Sequence, residues 1–313
     1  MMNRFNKILF VADGTAGEKV ALTKTVQLAR DIDASVSVID VVETAENFAI
    51  TDVAINMVVL QRELLKARNK ELEKLVKSAK PKSLKIEIPV LLKEGKDFIE
   101  IIKTVKNDGF DLVVKASGKP HVTGMLFSTL DLNLVRKCPC PVLVLKPRKK
   151  ISHSKILAAV DLRIKTKTKK NLDRTVMELA SSLASLEKGT LHILHAWHLS
   201  FEKRLSNRKG VQAAYKSMKT MLRDMRKTEK AHLDEMAAEF ALTKSSTHLI
   251  KGEPANVIPR FVKSARIDLV VMGSVGRTGI QGFFIGNTAE KILDNINCSV
   301  LAIKPPGWKS PVR

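Results

Sequence analysis

The residue types and spacing between Gly273 and Thr288 suit the binding of a phosphate group. Gly273 and Gly276 follow the apolar run Asp268-Leu-Val-Val-Met272. After nine intervening residues, 277–285, the sequence Gly286-Asn-Thr288 precedes a helical pattern. A glycine loop lets the main chain approach a ligand closely, and the free amides at a helix start point at phosphate oxygens. The segment therefore predicts an anion site between a strand and a helix.

Other chemistry lacks the residues that it needs. The sequence contains neither the Gly-x-x-x-x-Gly-Lys-Ser/Thr loop of P-loop proteins nor the Gly-x-Ser-x-Gly elbow of hydrolases. His192, His195 and His198 are spaced by three in or just after a strand, which favours core or edge histidines over a metal site. We therefore expect no enzymatic activity beyond a slow ATPase, and no metal beyond a magnesium ion that accompanies a nucleotide.

The strand that precedes the glycine loop belongs to a framework that occurs twice. Asp111-Leu-Val-Val114 precedes Asp268-Leu-Val-Val271 by 157 residues, and Lys7–Asp13 matches Lys155–Asp161. Matching segments in one order indicate a tandem duplication. Three further segments correspond in the same order: Ser35–Val42 with Thr190–Trp197, Lys93–Gly95 with Ile250–Gly252, and Cys140–Pro147 with Cys298–Pro305.

Within each copy, short β-branched runs alternate with helical patterns. This alternation predicts parallel strands joined by crossover helices that cover both faces of a sheet. The polar stretch 148–154 separates a first domain, 1–147, from a second, 155–313. A long helical insertion follows the second strand of each copy, and in the second copy it spans roughly 201–240 and is rich in Lys and Arg.

Composition restricts the class of protein without naming a ligand. A formal net charge of +22 and a pI near 9.9 attract phosphates, nucleic acid or anionic surfaces alike. The aromatic content of 4% argues against a single-strand-binding surface built on stacked rings. Cys138 and Cys140 fit small buried residues rather than a redox or zinc pair. With neither a membrane span nor a signal peptide in the pattern, we expect a cytoplasmic protein.

The stretch from Val271 to Thr288, Val-Met-Gly-Ser-Val-Gly-Arg-Thr-Gly-Ile-Gln-Gly-Phe-Phe-Ile-Gly-Asn-Thr, resembles the C-terminal signature of universal stress proteins. The tandem arrangement and Lys251–Pro259 are similar to the tandem E subgroup of that family. The resemblance implies an α/β fold of two Rossmann-like domains. Each is a five-stranded parallel sheet in strand order 3-2-1-4-5 with helices on both faces. It also implies an intramolecular pseudo-dimer in which Val142–Leu145 pairs with Val300–Ile303, and a homodimer of the whole chain stays possible.

The same resemblance implies a nucleotide site in the second copy. In nucleotide-binding members the ends of the first two strands hold the nucleoside and the glycine loop holds phosphate. The nucleoside end would comprise Ala159, Asp161 and Ala196. The phosphate end would comprise Met272, Gly273, Gly276, Gly286, Asn287 and Thr288, with Arg277 either as an added cation or as a solvated side chain. Asp161 either accepts bonds from ribose hydroxyls or closes a turn, and Gly273 and Gly276 either admit phosphate or serve backbone torsions alone.

The first copy departs from the glycine motif. Asp13-Gly14-Thr15 survives at the end of its first strand. Side chains in the loop obstruct the approach of phosphate to the main chain, so we predict that this copy has lost or changed its ligand. Three positions differ: Ala116 stands for Gly273, Lys119 for Gly276, and Ser128-Thr129 for Gly286-Asn287.

Together these observations predict a cytoplasmic stress-response protein that binds ATP or a related nucleotide in its second copy. The resemblance implies a role in survival under stress, including DNA-damaging conditions. One alternative is a non-enzymatic binder of nucleic acid or other anionic partners through the linker and the basic residues of 203–230. Another is a binder of a different phosphorylated small molecule.

Overall fold

The computed structural model describes residues 5–43, 52–81, 86–118, 127–146, 151–163, 166–198, 212–274 and 287–312. The strands of the first copy are β1 Lys7–Val11, β2 Ser35–Val42, β3 Val90–Glu94, β4 Leu112–Ala116 and β5 Val142–Leu145. Those of the second copy are β6 Lys155–Val160, β7 Thr190–Trp197, β8 Thr247–Lys251, β9 Leu269–Gly273 and β10 Ser299–Ile303.

Helices connect the strands in both copies. In the first copy they are α1 Glu18–Ile32, α2 Asp52–Ala79, α3 Asp97–Asp108 and α4 Thr129–Lys137. In the second they are α5 Lys167–Leu186, α6 Gln212–Glu239, α7 Pro254–Ala265 and α8 Asn287–Leu293. Among the residues described, no helix is long and apolar enough to cross a membrane.

The strands form one ten-stranded sheet in the order β3-β2-β1-β4-β5-β10-β9-β6-β7-β8. Within each copy all neighbouring strands are parallel, and both copies have the order 3-2-1-4-5. The fold class expected from the sequence is confirmed. Parallel pairing requires the crossover helices, which cover both faces of the sheet.

The two copies meet at their fifth strands, as the resemblance implied. β5 and β10 are antiparallel, with Leu143 opposite Leu301. The lysine that follows each strand reaches into the other copy: Lys304 Nζ donates to the carbonyls of Val135 and Arg136 at the end of α4, at 2.6 and 3.0 Å. Lys146 Nζ donates to the Asn297 carbonyl at 3.1 Å. The two lysine side chains thus tie the copies together, Lys304 at the carboxyl end of α4 and Lys146 in the stretch between α8 and β10.

One core lies on each face of the sheet. The first packs the strands against α1, α2, α5 and α6, and the second packs them against α3, α4, α7 and α8. The predicted insertion in the second copy is the 28-residue α6, and residues 201–211 lie outside the described part of the chain. Met218 and Leu233 of α6 are buried, so one face of this basic helix packs against the sheet.

Candidate functional site

The carboxyl ends of β6, β7 and β9 lie side by side in the second copy. Ala159 of β6 lies opposite both Leu194 of β7 and Met272 of β9. β6 therefore sits where the strand order reverses, which is where open α/β sheets bind their ligands. Five of the predicted site residues come together at this edge: Ala159, Asp161, Ala196, Met272 and Gly273.

The rest of the predicted site lies mainly beyond the described residues. Gly276, Arg277 and Gly286 are outside them. Asn287 begins α8, and its side chain is also outside the described set. Thr288 is exposed in the first turn of α8.

Asp161 is already paired with a cation. Its Oδ1 lies 3.0 Å from Nε of Arg163, which follows two residues later in the same turn. The backbone N–H of Asp161 donates to Asp173 Oδ1 at 3.2 Å, and Lys169 Nζ lies 2.9 Å from the same oxygen. Burial raises the pKa of Asp173, and Lys169 opposes that rise. Arg163 was not among the predicted site residues, although an arginine two residues after a strand-end aspartate was the signal.

Gly273 is constrained by packing on the side of α5. A Cβ at this position would lie 2.8 Å from Leu172 Cδ2, inside van der Waals contact. Gly273 is not among the described residues with positive φ, so its backbone torsion does not itself require glycine. The missing side chain therefore makes room for Leu172, whatever else the glycine does.

The backbone register fixes which residues of the two copies correspond. Ala116 lies opposite Leu145 of β5, and Gly273 lies opposite Ile303 of β10. The replacement of Gly273 by Ala116, expected from the sequence, is confirmed. The same register places Lys115 of the first copy at the position of Met272 in the second.

Lys115 is completely buried in the first copy and forms an ion-pair cluster with Asp13 and Asp131. Its Nζ lies 2.6 Å from Asp13 Oδ2 and 2.9 Å from Asp131 Oδ1, and it donates to the Ala116 carbonyl at 2.9 Å. Burial works against the charged ammonium, but the two carboxylates outweigh that effect and raise the pKa of Lys115. Three oxygen atoms thus lie within 2.9 Å of the ammonium nitrogen.

The carboxylate of Asp131 lies where the second copy is predicted to hold a phosphate. Its Oδ2 accepts the backbone N–H of Ser128 at 2.7 Å and that of Gly118 at 3.2 Å, while Ser128 Oγ accepts the N–H of Asp131. These amides belong to the loop after β4 and to the start of α4. A helix start of this kind binds anions, and here the anion is part of the chain.

The second copy lacks both members of this ion pair. Counted from the helix starts Thr129 and Asn287, Asp131 corresponds to Ala289, which is buried. Met272 replaces Lys115, as the register shows. The sequence carried two signals of the pair that we had not interpreted: a lysine inside the apolar strand Leu112–Ala116, and an aspartate three residues after Ser128, which is capping-box spacing.

A second ion pair distinguishes the copies at the sixth residue of their second strands. In the first copy Asp40 of β2 lies 2.5 Å from Arg68 Nε of α2, beside an open cleft of about 280 Å³ at the strand ends. In the second copy the corresponding residue is His195 of β7, whose Nε2 lies 3.0 Å from Glu229 Oε2 of α6. Both copies keep a strand-to-helix contact, but the carboxylate lies on the strand in the first copy and on the helix in the second.

His195 and His192 make contacts inside the fold. His195 is fully buried, and its Nδ1 lies 3.2 Å from the Val160 carbonyl. His192 Nδ1 lies 3.2 Å from His248 Nε2, beside Phe261. Within the described ranges, no group of three His, Cys, Asp or Glu side chains could hold a metal ion.

Several known proteins resemble the chain. Universal stress protein E of Escherichia coli K12 is 30% identical over 230 residues, which is 72% of this chain and 71% of that protein. A universal stress protein E homolog of Haemophilus influenzae is 30% identical over 215 residues, 66% of this chain and 65% of the relative. A functionally unknown protein of Pseudomonas aeruginosa PAO1 has a solved structure with TM-score 0.66 and 25% identity, covering 97% of this chain and 94% of that one.

A family model supplies the assignment. The model described as the Universal stress protein family matches residues 4–146 and again residues 153–304. The two matches each contain one set of five parallel strands. The chain therefore belongs to the Universal stress protein family, with two copies of the family's domain in tandem.

Proposed function

We propose that the second copy binds ATP or a related nucleotide at the carboxyl ends of β6, β7 and β9. The nucleoside contacts Ala159, Asp161 and Ala196. The phosphates lie at the start of α8, against Met272, Gly273, Gly276, Gly286, Asn287 and Thr288, and Arg277 supplies an additional cation. A magnesium ion accompanies the nucleotide.

One observation carries this proposal. The first copy fills its helix-start anion position with Asp131 and balances it with Lys115. At the same positions the second copy has Ala289 and Met272, which supply neither an anion nor a cation. These two positions of the second copy therefore supply no charge of their own, which favours an anion from outside the chain at the helix start.

The family membership supports the biological role proposed here. The nucleotide acts as a sensor or stabiliser within a cytoplasmic stress response that supports survival, including under DNA-damaging conditions. The functional units are 1–147 and 155–313, joined by the linker 148–154. The protein holds the nucleotide with no turnover beyond slow hydrolysis, because the sequence lacks a catalytic motif.

The proposal is tested by giving the second copy the anion of the first. ATP binding is measured by calorimetry for the wild type, Ala289→Asp, and Met272→Lys/Ala289→Asp. The carboxylate competes for the same amides, so the dissociation constant should rise about tenfold or more in both variants. Ala238→Asp, at an exposed position of α6, is the matched control and should bind as the wild type does.

Two outcomes would overturn the proposal. One is a wild-type protein that neither co-purifies with a nucleotide in native mass spectrometry nor binds ATP in calorimetry. The other is a folded Ala289→Asp variant with unchanged affinity, as judged alongside its thermal unfolding.

The nucleic-acid alternative has no comparable observation behind it. Cations of α6 are partly used within the helix, as where Lys230 pairs with Asp234. A solvated basic helix face accounts for the charge.

A further inference from the structure

Arg163 joins the ends of the first two strands of the second copy. It follows β6, its Nε donates to Asp161, and its Nη1 lies 3.4 Å from Nδ1 of His198, just after β7. The side chain is only 11% exposed. Its guanidinium therefore lies at the nucleoside end of the proposed site, beside the carboxylate assigned to the ribose.

The guanidinium has donors that the described protein does not use. Nη2 is buried, and no described residue accepts a hydrogen bond from it. Burying unpaired charged donors is costly, so a partner for them is favoured strongly. Lys115, the cation beside the corresponding Asp13, differs in this respect because its nitrogen has three oxygen atoms within 2.9 Å.

We propose that Arg163 binds a phosphate group on the ribose, so that the second copy prefers nucleotides phosphorylated at the 2′ or 3′ hydroxyl over those phosphorylated only at the 5′ position. This inference rests on the proposed function, because it needs the ribose at Asp161. In dinucleotide-binding folds a carboxylate near the strand end accepts from the ribose hydroxyls, and an arginine near it accommodates a ribose phosphate. Here the two side chains are paired.

The surrounding charges are compatible with a second phosphate. Asp161 and Asp173 are balanced by Arg163 and Lys169, so the cluster is neutral by side-chain count. Nε can stay on Asp161 while Nη2 donates to a phosphate oxygen, a charge-assisted hydrogen bond of the kind that arginine forms with phosphate. In the first copy Thr15 stands at the corresponding position and offers no cation.

The experiment compares ligands that differ only in the ribose phosphate. Calorimetry at fixed ionic strength measures AMP, adenosine 2′,5′-bisphosphate and adenosine 3′,5′-bisphosphate on the wild type. At least one bisphosphate should bind about tenfold or more tightly than AMP. Arg163→Gln should weaken the bisphosphates by a larger factor than AMP and so remove this preference, and Arg163→Lys should retain part of it. Arg174→Gln, which removes an exposed arginine of α5, should keep the wild-type preference.

The outcomes separate this inference from the proposed function. If AMP and both bisphosphates bind equally well, or if Arg163→Gln keeps the preference, the role of Arg163 is overturned and the nucleotide site stands. If neither ATP nor any of the three ligands binds, the proposed function fails and the inference fails with it. A preference that Arg174→Gln loses equally reflects general charge attraction and overturns the inference.

Discussion

Lys115 Nζ lies 2.9 Å from Asp131 Oδ1, and both side chains are completely buried between β4 and α4. Such a pair is tolerated in a protein interior because each charge has further partners. Lys115 also contacts Asp13 and a carbonyl, and Asp131 also accepts two backbone amides. A buried pair of this kind contributes little over an apolar pair of similar volume, but removing one partner is expensive.

The first prediction concerns this pair. Lys115→Met leaves Asp131 buried without its cation and should lower the free energy of unfolding by about 3–5 kcal/mol. Lys115→Met/Asp131→Ala recreates the residues of the second copy, Met272 and Ala289, and should be more stable than Lys115→Met alone. Urea unfolding of the two single variants and the double variant gives the coupling energy.

A surface pair provides the control for that cycle. Lys230 and Asp234 of α6 are about half exposed, at 50% and 52%. Their coupling energy should stay below about 1 kcal/mol. An equally small coupling energy between Lys115 and Asp131 would contradict the prediction that these two residues act as a buried ion pair.

The reversed strand-to-helix pairs give a second prediction. Glu229→Ala leaves Nε2 of buried His195 without its hydrogen-bond partner and should cost about 1–3 kcal/mol of unfolding free energy. Glu235→Ala, on an exposed part of the same helix, should change it by less than about 0.5 kcal/mol. Both are measured by chemical denaturation.

Reversing the polarity tests the pairing itself. His195→Asp/Glu229→Arg gives the second copy the charges of Asp40 and Arg68, and it should recover part of the stability lost in the two single variants. A double variant whose loss equals the sum of the single losses would show that the residues do not act as a pair.

Lys304 predicts how stability depends on pH. Burial lowers its pKa to about 7, whereas an unfolded lysine titrates near about 10.4. Between these values the unfolded chain binds a proton that the folded chain does not, so this group makes stability rise with pH. The slope is at most about 1.4 kcal/mol per pH unit.

Lys304→Met removes that titration. Unfolding free energies of the wild type and the variant, measured from pH 7 to pH 10, should diverge in favour of the wild type as pH rises. A difference that does not change with pH would mean that the folded lysine keeps its proton over this range, held by the two carbonyls and the Trp308 ring.

The His192 and His248 pair predicts how stability depends on pH in the acidic range. Burial lowers the pKa of both rings, with added repulsion from Lys155 on His192 and from His192 on His248. As pH falls through about 6.5, the unfolded chain takes up protons first and stability is lost until the folded rings titrate. Thermal unfolding at pH 7.5 and 5.5 should show a smaller loss in His192→Leu/His248→Leu than in the wild type. Equal losses would place the acid sensitivity elsewhere.

Much of the architecture could be predicted from the sequence. The repeat and the alternation of strands and helices follow from short apolar runs and matching segments, and the resemblance to a family implied the strand order and the pairing of the fifth strands. The replacement of Gly273 by Ala116 was also visible, because it needs only an alignment of two repeats. These features depend on local sequence patterns, and each pattern occurs once in each of the two copies.

Only the tertiary structure decided how the carboxyl ends of the strands differ chemically between the first copy and the second. Lys115 and Asp131 are 16 residues apart, and Asp40 and Arg68 are 28 apart, so their pairing depends on how a helix lies on the sheet. A lysine in an apolar strand and an arginine after a strand-end aspartate are ambiguous until their partners are known, because burial makes a charge depend on what it touches. The sequence thus determined where a ligand site could be, and the packing decided that the first copy fills its own anion position while Arg163 of the second retains unused donors.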